Sequence, residues 1–168
     1  MKSIFTILGC ALAYMSTASG ALRGHTTVGS NSVLIHAPTG PIVGFSSNGA
    51  RVFRQIPYAE PPVDALRFQA PQPKATWTSP YNASIPLSQQ VGCIQHCELP
   101  PHTCPPIQSE DCLFLNVFTP DTASSDPLPV ILFIHGGDWR QGYGGGILYD
   151  GSTFAKNKNV VVVSINYR

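Results

Sequence analysis

The chain has 168 residues and a formal net charge of +1. Hydrophobic residues make up 43% of it and charged residues only 11%, which excludes a disordered chain and gives no reason to expect nucleic acid or an anionic surface as a partner. The 16 prolines and 15 glycines predict a loop-rich architecture of short elements, at a one-domain length.

The N-terminus carries one positive charge at Lys2, an apolar run over residues 4–15 and small residues over 16–21. That order predicts a secretory signal peptide over residues 1–18, with cleavage after Ala18 or as late as Gly20. The run is too short for a comfortable transmembrane helix, so no integral membrane segment is expected and the protein reads as secreted, extracellular. Cys10 leaves with the signal. Cys93, Cys97, Cys104 and Cys112 remain in the mature stretch, 19–168. An even number in a secreted chain predicts disulfides, in any of three connectivities. His96 and His102 lie among them and raise the alternative of zinc. The spacing matches no zinc pattern, and no metal or other cofactor is expected.

Residues 23–31 are polar and small, a loose arm. Residues 33–37 read as a strand, 38–41 as a turn, and 42–45 as the start of a second strand. Asn48-Gly49 is a hairpin signal, and 50–54 would be the returning strand. Residues 55–62 hold Pro57, Pro61 and Pro62, which remove donors and fix φ, so an extended crossing is expected through Pro71, Pro73 and Trp77. Within it Arg67 sits between Leu66 and Phe68. It either finds a carboxylate partner or snorkels to water. Asn82-Ala83-Ser84 is a glycosylation sequon, plausible in a secreted chain. Residues 93–106 have the composition of a surface excursion stapled by disulfides.

Residues 112–118 form an apolar strand after Ser109-Glu110-Asp111. After a polar, proline-containing loop, residues 130–134 are apolar and stop at His135-Gly136-Gly137-Asp138-Trp139. A short apolar run ended by glycines reads as a strand buried on both faces and followed by a tight turn. Glycines there let backbone N–H groups approach a ligand closely, and such groups can stabilise an oxyanion. The alternative is a glycine turn with no catalytic role. Residues 142–146 read as a flexible glycine loop, and 152–156 as one helical turn capped by Ser152. Residues 160–167 hold four consecutive valines, which suit an interior strand packed on both faces. Two such strands with almost no helix to cover them predict part of a larger α/β enzyme.

Four motifs, in order, carry a specific resemblance. They are Ile56-Pro57-Tyr58-Ala59-Glu60-Pro61-Pro62 with Leu66-Arg67-Phe68, Glu110-Asp111-Cys112-Leu113-Phe114-Leu115-Asn116-Val117, His135-Gly136-Gly137, and Ser164-Ile165-Asn166-Tyr167-Arg168. The chain resembles the N-terminal portion of a type B carboxylesterase/lipase, in the cholinesterase-like branch of the α/β-hydrolase superfamily. The resemblance implies an α/β fold in which antiparallel front strands lead into a mostly parallel central sheet. It implies that Cys93 pairs with Cys112, leaving Cys97 for Cys104, and that Glu110 is the buried partner of Arg67. It places the oxyanion N–H groups on Gly137 and Asp138, with Gly136 permitting the bend and Trp139 at the wall of a substrate gorge. His135 then shapes the turn.

Asp138 departs from the family pattern, in which this position is glycine or small. Its N–H remains available, but its carboxylate must turn away from a developing oxyanion or be paired. A catalytic serine in this fold sits in a G-x-S-x-G elbow, followed by an acid and a histidine. No such elbow occurs in the 168 residues, and none of the five histidines can be given the role of base. The resemblance therefore implies a chain that supplies the oxyanion turn of an esterase, truncated before the nucleophile and inactive as it stands. Its partner in the full-length protein would be a small-molecule or lipid ester. The alternatives are a non-catalytic cholinesterase-like adhesion homologue and a short product with a structural role.

Overall fold

The computed structural model describes residues 31–100 and 102–168. The segment read as a signal peptide, and all but the last residue of the arm, lie outside them. Strands β1 (Ser32–Ala37), β2 (Gly40–Ser47) and β3 (Ala50–Pro57) form an antiparallel meander. Asn48 and Gly49 both have positive φ, at 53° and 79°, as a two-residue hairpin turn matched to strand twist requires. Strand β4 (Tyr81–Asn82) adds in parallel to β2, and β5 (Val91–Cys93) and β6 (Ile107–Ser109) make a separate parallel pair. Strand β7 (Phe114–Pro120) lies antiparallel to β3, and β9 (Val161–Ile165) antiparallel to β7. Strand β8 (Val130–Ile134) is parallel to β9 and connects to it through helix α1 (Ser152–Lys158). The main sheet thus runs β1-β2-β3-β7-β9-β8, with β8 at its edge.

Alternation along the strands sorts the core onto two faces. On one face Val52 packs with Phe118, Val162 and Ala155 of α1. On the other, Phe53 packs with Val33, Ile42 and Ala83, and Trp77 of the proline-rich crossing leans on the same cluster. Each fully buried valine, isoleucine or phenylalanine among them contributes about 1.5–3 kcal/mol. The crossing itself is irregular, with one 3-10 turn at Asp64–Leu66 and a single bridge from Ala59 to Pro73.

Several expectations are corrected. Strand β8 is not buried on both faces, since Ile131 and Ile134 are 41% and 54% exposed. Its edge position leaves one side without a neighbour among the described residues. Residues 142–146 are a buried segment rather than a flexible loop. A Cβ on Gly144 would stand 2.6 Å from the Ile165 carbonyl oxygen, so the glycines allow backbone to pack on backbone. Helix α1 has seven residues, and Gly151, not Ser152, holds its N-cap position. The Ser152 N–H instead donates to the Asp150 carboxylate at 2.9 Å. Strand β7 begins at Phe114, so Cys112 and Leu113 precede it.

Candidate functional site: the turn after β8

Strand β8 delivers the chain into His135, which is 5% exposed. The imidazole stacks on Tyr167, just past β9, with centroids 4.4 Å apart and planes 14° from parallel. Its Nδ1 lies 2.8 Å from the Gly136 carbonyl oxygen. A carbonyl can only accept, so Nδ1 carries the proton. Burial holds the His135 pKa below the usual histidine value, and the bond to Gly136 opposes that shift. The Tyr167 hydroxyl donates to the His135 carbonyl at 2.9 Å.

Past Gly136, three consecutive residues have positive φ: Gly137 at 122°, Asp138 at 59° and Trp139 at 60°. Such a run is costly for residues with a Cβ, about 1–3 kcal/mol each. The Gly137 carbonyl closes the turn by accepting from the Arg140 and Gln141 N–H groups, both at 3.1 Å. A Cβ on Gly137 would lie 1.8 Å from the Gln141 carbonyl oxygen, so only glycine fits there. Gly136 was expected to permit the bend. Its φ is not positive and a Cβ on it would meet open space, so the bend needs glycine at Gly137 instead.

Neither the Gly137 nor the Asp138 N–H donates to an acceptor among the described residues. Successive N–H groups in left-handed backbone form a concave donor pair of the kind that binds anions. The Asp138 carboxylate is engaged by Arg140 at 3.1 Å, with both side chains about three-quarters exposed. Trp139 is 86% exposed and tilts towards Tyr167 with centroids 5.9 Å apart. It lines no wall formed by the described residues.

Of the remaining expected residues, the cysteines lie beside the turn, with Cys93 Sγ 3.4 Å from the Tyr167 carbonyl oxygen, while Arg67, Glu110 and Asn82 belong to other parts of the surface. Cys93 joins Cys112 and Cys97 joins Cys104, so none of the four thiols is free to hold zinc. Loop closure of these sizes contributes about 2–3 kcal/mol each in the chain-entropy model. Arg67 Nε lies 2.6 Å from Glu110, but the side chains are 55% and 36% exposed. The pair forms at the surface, not in the interior, because Arg67 leaves the exposed turn after Leu66 and stacks over the 85%-exposed ring of Phe68. Asn82 sits on β4, at the far end of the sheet from β8. It is exposed, and its amide oxygen accepts the Ser84 N–H at 2.9 Å.

Sequence reasoning missed the polar groups that hold the turn's surroundings. Asn166 donates to the carbonyls of Val91 and Cys112 at 2.9 and 3.0 Å and accepts the Gly144 N–H at 2.8 Å. Asn116 accepts the Gln55 N–H at 3.0 Å and donates to Ser164, which in turn donates to the Gly144 carbonyl. Gln55 has φ 61° at the irregularity between Phe53 and Ile56, and its side chain pairs with both backbone groups of Val91. Gln95 bonds both backbone groups of Gly142. Asn116 and Asn166 lay inside recognised motifs, and a polar residue at an interior strand position was their available signal.

The sequence model described as Carboxylesterase family matches residues 31–168. Para-nitrobenzyl esterase of Bacillus subtilis (strain 168) is 42% identical over 134 residues, covering 77% of this chain and 26% of that protein. The crystal protein of Dictyostelium discoideum is 43% identical over 148 residues, covering 87% and 26%. Liver carboxylesterase 1 of Oryctolagus cuniculus is 37% identical over 171 residues, covering 95% and 30%. A solved PNB esterase superposes with a TM-score of 0.74 at 41% identity, over 80% of this chain and 27% of that one. The chain therefore spans between a quarter and a third of the length of these relatives, and its mixed sheet matches the N-terminal part of an esterase α/β-hydrolase fold. It belongs to the carboxylesterase family.

Proposed function

We propose that residues 19–168 are the N-terminal part of a secreted carboxylic ester hydrolase, and that the turn after β8 is its oxyanion site. The unpartnered N–H groups of Gly137 and Asp138, presented side by side in left-handed backbone, carry this reading. In ester hydrolysis a nucleophile adds to the carbonyl carbon, and the carbonyl oxygen gains negative charge. Two fixed N–H donors stabilise that charge without reorganising, and removing one such donor typically costs about 10²–10³ in rate. Asp138 serves through its backbone, while the pairing with Arg140 occupies its carboxylate. The substrate is a small-molecule or lipid ester.

No G-x-S-x-G elbow occurs in these 168 residues, and the chain covers 26% of para-nitrobenzyl esterase, so the reading needs a nucleophile, acid and base from outside this stretch. The transcript past Arg168 is expected to encode a serine in that elbow. Glycine or another residue there would overturn the hydrolase reading in favour of a binding homologue. This chain alone is expected to hydrolyse a short-chain nitrophenyl ester no faster than a heat-killed control. The residue order at 1–18 supports export, and two disulfides accord with an oxidising compartment. The exposed Asn82 is the proposed glycosylation site. No helix among the described residues is long and apolar enough to cross a membrane.

A further inference from the structure

We propose that Gln95 is a positioning residue for the oxyanion turn, acting through Gly142. The turn has a weak grip on its own geometry. Two consecutive residues with side chains, Asp138 and Trp139, sit at φ 59° and 60°, and the two bonds closing the turn share one acceptor, the Gly137 carbonyl. Something outside the turn must hold its far end. Gly142 is that end, and a single side chain takes both of its backbone groups. The Gly142 N–H donates to the Gln95 amide oxygen, and the Gln95 amide nitrogen donates to the Gly142 carbonyl at 2.8 Å and to the Cys93 carbonyl at 2.9 Å. The backbone of Gln95 is itself fixed, its N–H donating to the Gln108 side chain at 2.8 Å.

Gly142 is tightly coupled to the base of the turn. It has φ 103°, and a Cβ there would stand 2.7 Å from the Gly136 carbonyl oxygen and 2.8 Å from His135 Nδ1. A shift of Gly142 therefore presses on the two residues that lead into Gly137. Two further contacts fasten the neighbouring chain to the same loop. The Glu98 N–H donates to the Gln141 side chain at 2.8 Å, and the His102 carbonyl accepts the Ile147 N–H at 3.3 Å. The Cys97–Cys104 disulfide closes the loop that carries these contacts. Gln95 is thus the hinge pin between a disulfide-closed bracket and the turn. The role assigned to the turn rests on the esterase reading above, but the clamp itself does not.

The test uses the full 168-residue chain and residue-resolved amide hydrogen exchange by NMR, which needs neither ester nor triad. Gln95→Ala is expected to speed exchange at least ten-fold at Gly142 and also at Arg140 and Gln141, whose amides close the turn. The amide resonances of Gly137 and Asp138 and the Trp139 indole resonance should move, while exchange in β9 stays within two-fold. Gln95→Glu keeps an acceptor for Gly142 N–H and loses both donated bonds. Its second carboxylate oxygen also faces the Gly142 and Cys93 carbonyl oxygens, so it should speed exchange at the same amides. Gln95→Met, which keeps the length of the side chain without its polar groups, serves if Gln95→Ala fails to fold. Faster exchange at Gly142 alone, with Arg140, Gln141 and the turn resonances unchanged in either variant, would show a local structural contact and overturn the proposal. So would a Cys97→Ala/Cys104→Ala pair that loosens the turn fully while Gln95→Ala does not. A failed hydrolase reading with an intact exchange result would leave the clamp standing, and the reverse is equally readable.

Discussion

Strands β8 and β9 lie side by side in parallel, five residues each, and their sequences are close: VILFI and VVVSI. By composition β8 is the more apolar, since it has no counterpart of Ser164. Yet Val161, Val162, Val163 and Ser164 are all at most 7% exposed, while Ile131 and Ile134 of β8 are 41% and 54% exposed. Burial is set by position. Strand β9 has β7 on one side, β8 on the other and α1 packed across it. Among the described residues, strand β8 has β9 on one side only. The difference closes at the C-terminal ends, where His135 after β8 and Asn166 after β9 are 5% and 2% exposed. His135 at the end of β8 is buried beneath the Tyr167 ring, and there the fold fixes the turn that follows.

The two strands can be compared with one substitution. Ile131 and Val162 are register partners, so their side chains share a face of the sheet. Val162→Lys puts an ammonium among Val52, Phe118 and Ala155, and Gly151 packs against it closely enough to block escape. It is expected to cost about 4 kcal/mol or more, a large share of the stability of a domain this size. Urea denaturation and soluble yield would register this, and an unchanged midpoint would refute the burial assigned to β9.

Much of this contrast was hidden from the sequence. Periodicity and residue type mark both strands as apolar, but nothing within residues 130–134 tells which neighbours they acquire. The turn after β8, proposed above as the oxyanion site, was legible as a turn because residues 135–139 are consecutive, so a motif could carry it. The meander was legible for the same reason, with Asn48-Gly49 sitting between its two strands. Gln95 was not, because its partner Gly142 is 47 positions away. Asn116, Ser164 and Asn166 form one network across three segments, and only the folded register brings them together. The glycines at 142–146 were misread because glycine permits both mobility and close backbone packing, and tertiary contacts decide between them.

The buried end of β8 gives a test of intermediate size. Burial depresses the His135 pKa in the folded state, so the unfolded chain binds this proton more readily. The sign follows from linkage: the stabilisation is present above the unfolded value, about pH 6.5, and is lost as pH falls through the lower folded value. Stability measured by urea at intervals from pH 8 to pH 5 should therefore decline below about pH 6.5. His135→Asn should flatten that part of the curve. An identical slope in the variant would mean that His135 is not held neutral beneath Tyr167.

The smallest effect is expected at the exposed partner of the first substitution. Ile131→Lys places its ammonium where the side chain already reaches solvent, and a long side chain can keep its stem on the strand while the charge stays in water. Stability should change by less than about 1 kcal/mol, in contrast to Val162→Lys. Its main consequence concerns association. An unpaired edge strand with exposed isoleucines offers ladder bonds and apolar surface to another chain, and a lysine on such an edge opposes that pairing. Light scattering against protein concentration should show less self-association for Ile131→Lys than for the unaltered chain. Equal destabilisation by both lysines would sink the distinction between the two strands, because it would place Ile131 in a core as closed as that around Val162.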